Sequence, residues 1–129
     1  MRENIGSGSP WEPIVGYARA VRVGNIVEVA GTTSARGDAI LGEGDPYLQT
    51  RAALETIERA LREAGATLED VVRTRMFVTD IACWEEYGRA HGEVFRDIRP
   101  VSTMVEVKAL IDPRLLVEIE ATAIIGGRA

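Results

Sequence analysis

Cysteine and histidine each occur once in this 129-residue chain, as Cys83 and His91, and lysine occurs only at Lys108. One cysteine cannot close an internal disulfide, and one cysteine with one histidine cannot supply a standard zinc site. No N-terminal stretch joins a basic start to an apolar run of about 7–15 residues, so export is not expected and a cytoplasmic setting is. The opening Gly6-Ser7-Gly8-Ser9 lacks the Gly-Lys-Ser/Thr ending of a phosphate-cradling loop, and no dinucleotide fingerprint follows a strand. Positive charge is also short: 15 basic against 20 acidic side chains give a net charge of −5. That balance repels phosphate backbones, and with aromatics at only 5% there is no aromatic and basic platform for nucleic acid.

What remains is an ordinary soluble composition, 46% apolar and 27% charged, which favours neither disorder nor a membrane protein. The length suits one domain spanning residues 1–129, with residues 1–12 as an entry arm without periodicity. Because nearly every basic residue is arginine, a single arginine is weak evidence of a special role.

Alternation in "YARAVRVGNIVEVA" around Gly24-Asn25 predicts a hairpin with strands near 17–23 and 26–32. A further short strand is expected near "DAILG". Leu54, Ile57, Leu61 and Ala64 recur at spacings of three and four, predicting a helix over 46–66 that Gly65 caps. After the strand "VVRTRMFVTD", a second helix is expected to bury Trp84, Tyr87, His91, Val94 and Phe95 on one face, with Asp80 or a neighbour as its cap. His91 is read there as a packing residue, and Cys83 as incidental. "VSTMVEVKAL" and "LLVEIEATAII" complete the order β-β-(β)-α-β-α-β-β. This is an α+β pattern, with both helices packed on one face of a mixed sheet.

Strand alternation places Arg73, Arg75 and Phe77 on one face of their strand, and Glu118 and Glu120 on one face of theirs. Such a charged sheet face is either wet, with weak cross-strand ion pairs, or covered by the sheets of other subunits, with ligand clefts at the seams.

The strings "VGYARAVRVGNIVEVAGT", "TRMFVTDI" and "RPVSTMVEVKALIDPRLLVEIEATA" together resemble the Rid family, the YjgF-like deaminases of reactive imines and enamines. The likeness runs in order from about Tyr17 to Ala123. It implies a chorismate-mutase-like fold and a homotrimer whose sheets form a central barrel with three intersubunit clefts. It also implies hydrolysis of 2-imino or 2-enamino acids to 2-oxo acids and ammonia without a cofactor or metal.

By the same resemblance, Tyr17 keeps the family's aromatic cleft residue and Glu118 its water-activating glutamate. The family's Pro-Ala-Arg-Ser, whose arginine grips the substrate carboxylate, is here Pro100-Val101-Ser102-Thr103, so Ser102 stands in the arginine's place. Arg99 cannot substitute, since a shift of one residue turns every side chain of the strand to the other face. Ser102 and Thr103 offer neutral hydrogen bonds suited to a less acidic ligand, and Arg19 is the candidate to meet a carboxylate from another direction.

The expected function is therefore cofactor-independent deamination of imines or enamines, on a substrate other than the usual 2-imino acids. The alternative is a non-catalytic trimer that binds a small metabolite in the same clefts. Neither nucleic acid nor a membrane is expected as a partner.

Overall fold

The computed structural model describes residues 1–127. Its first strand, β1 (Arg2–Ile5), pairs antiparallel with β2 (Ala20–Val23), so the entry arm expected over residues 1–12 is in part an edge strand. Periodicity could not show this, because at a sheet edge only Ile5 of the four residues is buried. Between them Glu12–Gly16 form one turn of π-helix closed by Tyr17 N–H donating to Glu12 O, and the buried Glu12 carboxylate accepts from the Ser7 backbone and hydroxyl. Tyr17 accordingly precedes β2 instead of opening it.

β2 and β3 (Ile26–Thr32) form the expected two-residue hairpin, with Val23 opposite Ile26. Of the two turn residues only Gly24 takes a positive φ, 60°, the arrangement of a type II′ turn. The "DAILG" region yields a separate small hairpin, β4 (Ala35–Arg36) with β5 (Ala39–Ile40).

α1 (Pro46–Glu63) starts at Asp45, whose side chain accepts from Leu48 N–H. It ends in a Schellman motif: Gly65 at φ 88° donates to Arg62 O and Ala66 donates to Leu61 O. Arg22 adds a guanidinium bond of 2.7 Å to Ala64 O, matching positive charge to the helix C-terminus. The predicted stripe is the buried one, since Leu54, Ile57 and Leu61 are at most 2% exposed. Burying each such side chain contributes about 1.5–3 kcal/mol.

β6 (Val71–Val78), α2 (Trp84–Phe95) and β7 (Val101–Glu106) form a parallel crossover in which the helix carries the chain back to the same end of the sheet. Asp80 caps the short turn that leads into α2 by accepting from Ala82 N–H. On α2, Tyr87 and Phe95 are buried as expected, but Trp84 is 57% exposed. It is the first residue of the helix, at the exposed end of that face.

β8 (Val117–Ile124) lies in the middle of the six-stranded sheet, whose order is β1-β2-β3-β8-β6-β7. Its residues alternate strictly between buried and half-buried, so Val117, Ile119, Ala121 and Ala123 meet the helices while Glu118, Glu120 and Thr122 line the open face. The result is the single α+β layer pair that the sequence pattern predicts. Among the described residues no helix is long and apolar enough to cross a membrane.

Candidate functional site

Glu118 owes its setting to an irregularity in the neighbouring strand. Between Val29 and Thr32, β3 spends three steps while β8 spends two, from Ala121 to Ile119, so one extra residue bulges out of β3. Gly31 lies in this bulge, and the Glu118 side chain folds over it. A Cβ on Gly31 would stand 2.0 Å from Glu118 Oε2 and 2.9 Å from Cδ.

Arg19 pins the bulge from the other side, donating to Gly31 O at 2.9 Å and to Thr32 Oγ1 at 2.8 Å. Its guanidinium carbon lies 5.7 Å from the centre of the Tyr17 ring. Tyr17, Arg19 and Glu118 thus form one cluster joined through Arg19. Half-burial raises the Glu118 pKa, the Arg19 charge pulls it back, and Glu120 raises it again. A carboxylate held at raised proton affinity beside a cation and an aromatic wall is a candidate acid–base group.

Removing that cation has a signed consequence. With Arg19→Gln, the Glu118 carboxylate loses its stabilising charge, its pKa rises further, and the acid limb of a pH–rate profile is expected to move to higher pH. If Arg19 is a substrate anchor as well, KM for 2-iminopropionate rises alongside the shift of the limb.

Ser102 and Thr103, taken together from sequence, diverge in the structure. In the parallel pairing Ser102 lies beside Thr74 and Thr103 beside Arg75, so Ser102 points to the helix side and Thr103 to the open face. Thr74 in turn lies beside Ala121, three residues along β8 from Glu118 and on the opposite face. Within one chain Ser102 and Glu118 do not share a pocket. Arg99 does not fill the space in front of Ser102 either: it takes φ 57° and its Nε donates back to Arg96 O at 3.2 Å.

What Ser102 touches is Thr74, and Thr74 touches His91. Both contacts are 2.8 Å, between Ser102 Oγ and Thr74 Oγ1 and between Thr74 Oγ1 and His91 Nε2. From sequence His91 reads as a packing residue, and Thr74 is placed on the strand face opposite Arg73 and Arg75 without a role. The available signal was a hydroxyl on the helix-facing row of β6, where a buried polar group requires a partner.

On the open face an unenclosed hollow of about 430 Å³ has Tyr17, Glu28, Arg75 and Glu120 in its lining. Arg75 and Glu120 are 3.5 Å apart, and Thr122 donates to Glu28 at 2.5 Å. Glu118 is not among its walls, so this hollow on its own is no reaction site. Among the described residues, no three His, Cys, Asp or Glu side chains are grouped to hold a metal ion.

Residues 8–125 match the family model described as Endoribonuclease L-PSP. Rv2704 of Mycobacterium tuberculosis, a solved member of the YjgF/YER057c/UK114 family, superposes with a TM-score of 0.87 at 57% identity, covering 97% of this chain and all of that one. An uncharacterised Streptomyces coelicolor protein, SCO2049, is 47% identical over 92% of this chain and 89% of its own length. The 3-aminoacrylate deaminase RutC of Acinetobacter baylyi is 34% identical, over 90% of this chain and 91% of its own. By sequence and by fold, this chain belongs to the Endoribonuclease L-PSP family, the group that includes the YjgF, RutC and Rid proteins.

Proposed function

We propose that this protein hydrolyses reactive imines or enamines to carbonyl compounds and ammonia, without a cofactor, in clefts between the subunits of a homotrimer. The observation that carries this is the half-buried Glu118 carboxylate, raised in proton affinity and seated over Gly31 beside Arg19 and Tyr17. The likeness to a 3-aminoacrylate deaminase supports the reaction class. An intersubunit cleft fits this reading, since Ser102 and Glu118 lie on opposite faces of one sheet and a single chain does not present both to one ligand.

In this reading water attacks the carbon of the protonated imine, C=NH2+, while Glu118 takes one of the water protons, which gives the neutral carbinolamine. Glu118 returns that proton to the amino nitrogen, the C–N bond breaks to release ammonia, and the hydroxyl proton of the resulting protonated carbonyl passes back to Glu118. A carboxylate of raised pKa suits both steps, because it must accept a proton and release it in the same cycle. Tyr17 forms a wall, and Arg19 keeps the bulge and the charge in place.

The substrate we infer differs from a common 2-imino acid, since a serine hydroxyl cannot supply the two parallel charge-assisted bonds of an arginine. That same replacement favours the second reading, a trimer that binds a metabolite without turning it over. Adding the protein to imines generated in situ by an amino-acid oxidase separates the two. Ammonia release above the buffer rate is expected for the hydrolase, while ligand-induced thermal stabilisation with no release from any imine marks the binder.

Installing the missing side chain gives a sharper result. Ser102 is exposed at a sheet edge, so Ser102→Arg has room, and it is expected to raise kcat/KM for 2-iminopropionate by about 10- to 100-fold, the worth of hydrogen bonds to a charged group. An unchanged value would mean that the substrate carboxylate does not reach this position.

A further inference from the structure

On the helix side of the sheet edge lies a chain of hydrogen bonds that the proposed hydrolysis does not use. Thr74 is fully buried on the row of β6 that also carries Met76 and Val78. Its hydroxyl is bonded at 2.8 Å both to His91 and to Ser102. The His91 ring lies against Phe95 with centroids 4.7 Å apart, which limits the directions in which Nε2 can point.

Two placements of the hydrogens satisfy these contacts, because each hydroxyl has one hydrogen and the imidazole has two tautomers. With the ring proton on Nε2, His91 donates to Thr74, Thr74 donates to Ser102 Oγ, and the hydrogen of the exposed Ser102 is left for a ligand. With it on Nδ1 the chain runs the other way and Ser102 donates inward to Thr74. Burial lowers the His91 pKa with no contribution from a neighbouring charge, so the imidazole stays neutral at neutral pH. In the Nε2–H form the chain ends at the surface in an uncharged, oriented donor.

We propose that His91 carries its proton on Nε2 and that Thr74 and His91 are thereby positioning residues that aim the Ser102 hydroxyl at a carbonyl oxygen of the ligand, so that the site prefers imines bearing a neutral amide or ester carbonyl to 2-imino acids. The inference deepens the hydrolase reading and rests on it for the word imine, but the binding preference holds without turnover. A neutral carbonyl is satisfied by one such donor. A carboxylate moved out of water needs more, and with only one neutral hydroxyl it is left undercompensated.

The test uses pyruvamide and pyruvate, the uncharged and charged 2-oxo products, with thermal stabilisation as the binding readout and ammonia release from the corresponding imines as the kinetic one. The wild-type protein is expected to bind pyruvamide at least about tenfold more tightly than pyruvate. Thr74→Val keeps the shape and removes the hydroxyl, and His91→Phe keeps a ring against Phe95 and removes the donor. Each is expected to weaken pyruvamide binding about tenfold, the loss of one oriented hydrogen bond, and to raise KM with kcat nearly unchanged. Thr74→Ser, which retains the hydroxyl, is expected to restore both. A purely structural role would lower stability without changing the preference between the two ligands.

The proposal is overturned if pyruvate binds as tightly as pyruvamide, or if the Val and Ser variants bind pyruvamide equally well. If valine at this buried position unfolds the chain, His91→Phe carries the same comparison. Selective pyruvamide binding with no ammonia release from any imine leaves the positioning role standing and removes the hydrolase reading alone.

Discussion

Replacing Glu118 with glutamine is expected to reduce ammonia release by about 10³-fold, within the usual range for losing a positioned general acid–base group. Binding of a product analogue should survive, because the amide fills the same volume over Gly31. Stability supplies an independent sign. Burial has raised the Glu118 pKa, so the folded state holds its proton more tightly than the unfolded state, and the ionised form at neutral pH is a cost to folding. Glutamine removes that cost, and the melting temperature of the variant should equal or exceed that of the wild type. A variant that melts lower and turns over normally would make Glu118 structural, a partner for the Arg19 charge and nothing more. The combination of lost turnover with retained or improved stability is what a carboxylate held at its site for chemistry produces.

Gly31→Ala should disable the same group without altering its chemistry. The added Cβ falls 2.0 Å from Glu118 Oε2, and the atoms it meets belong to the carboxylate end of that side chain. The clash is therefore relieved by moving Glu118, not the backbone. Gly31 is not among the glycines at positive φ, so alanine adopts the local conformation without strain. Displacement of a reacting group by an ångström or more costs about 10² in rate, and that loss is expected here with little change in melting temperature. The double variant with Glu118→Gln should be no slower than Glu118→Gln alone, since both remove one function. An additive loss would place Gly31 in a second role.

Much of this fold was legible from periodicity. The α1 stripe, the Gly24-Asn25 hairpin and the two faces of β8 follow from residue spacing, because burial on one side of an element leaves a repeat in the sequence. Resemblance added Tyr17 and Glu118 to the site, but the sequence did not show what seats Glu118. A bulge is a mismatch between two strands distant in sequence, and Gly31 reads as an ordinary strand glycine until β8 is laid beside it. β1 was missed for a related reason: an edge strand with one buried residue carries no alternation. Ser102 and Thr103 were grouped because they are adjacent, although adjacency in a strand means opposite faces. The link from Ser102 through Thr74 to His91 spans three separate elements, and only the parallel register of β6 and β7 brings it together.

The central position of β8 bears on when the candidate site forms. Until that strand docks, β1–β3 and β6–β7 have no common sheet, because both pair only through β8. Joining them requires contacts between residues nearly a hundred positions apart, such as Glu28 with Thr122, and such distant pairings form late and slowly. Glu118 rides on that same strand. A chain caught part-way through folding therefore lacks both its closed sheet and the seat of Glu118, and under the proposed function competence arrives in the step that completes the fold.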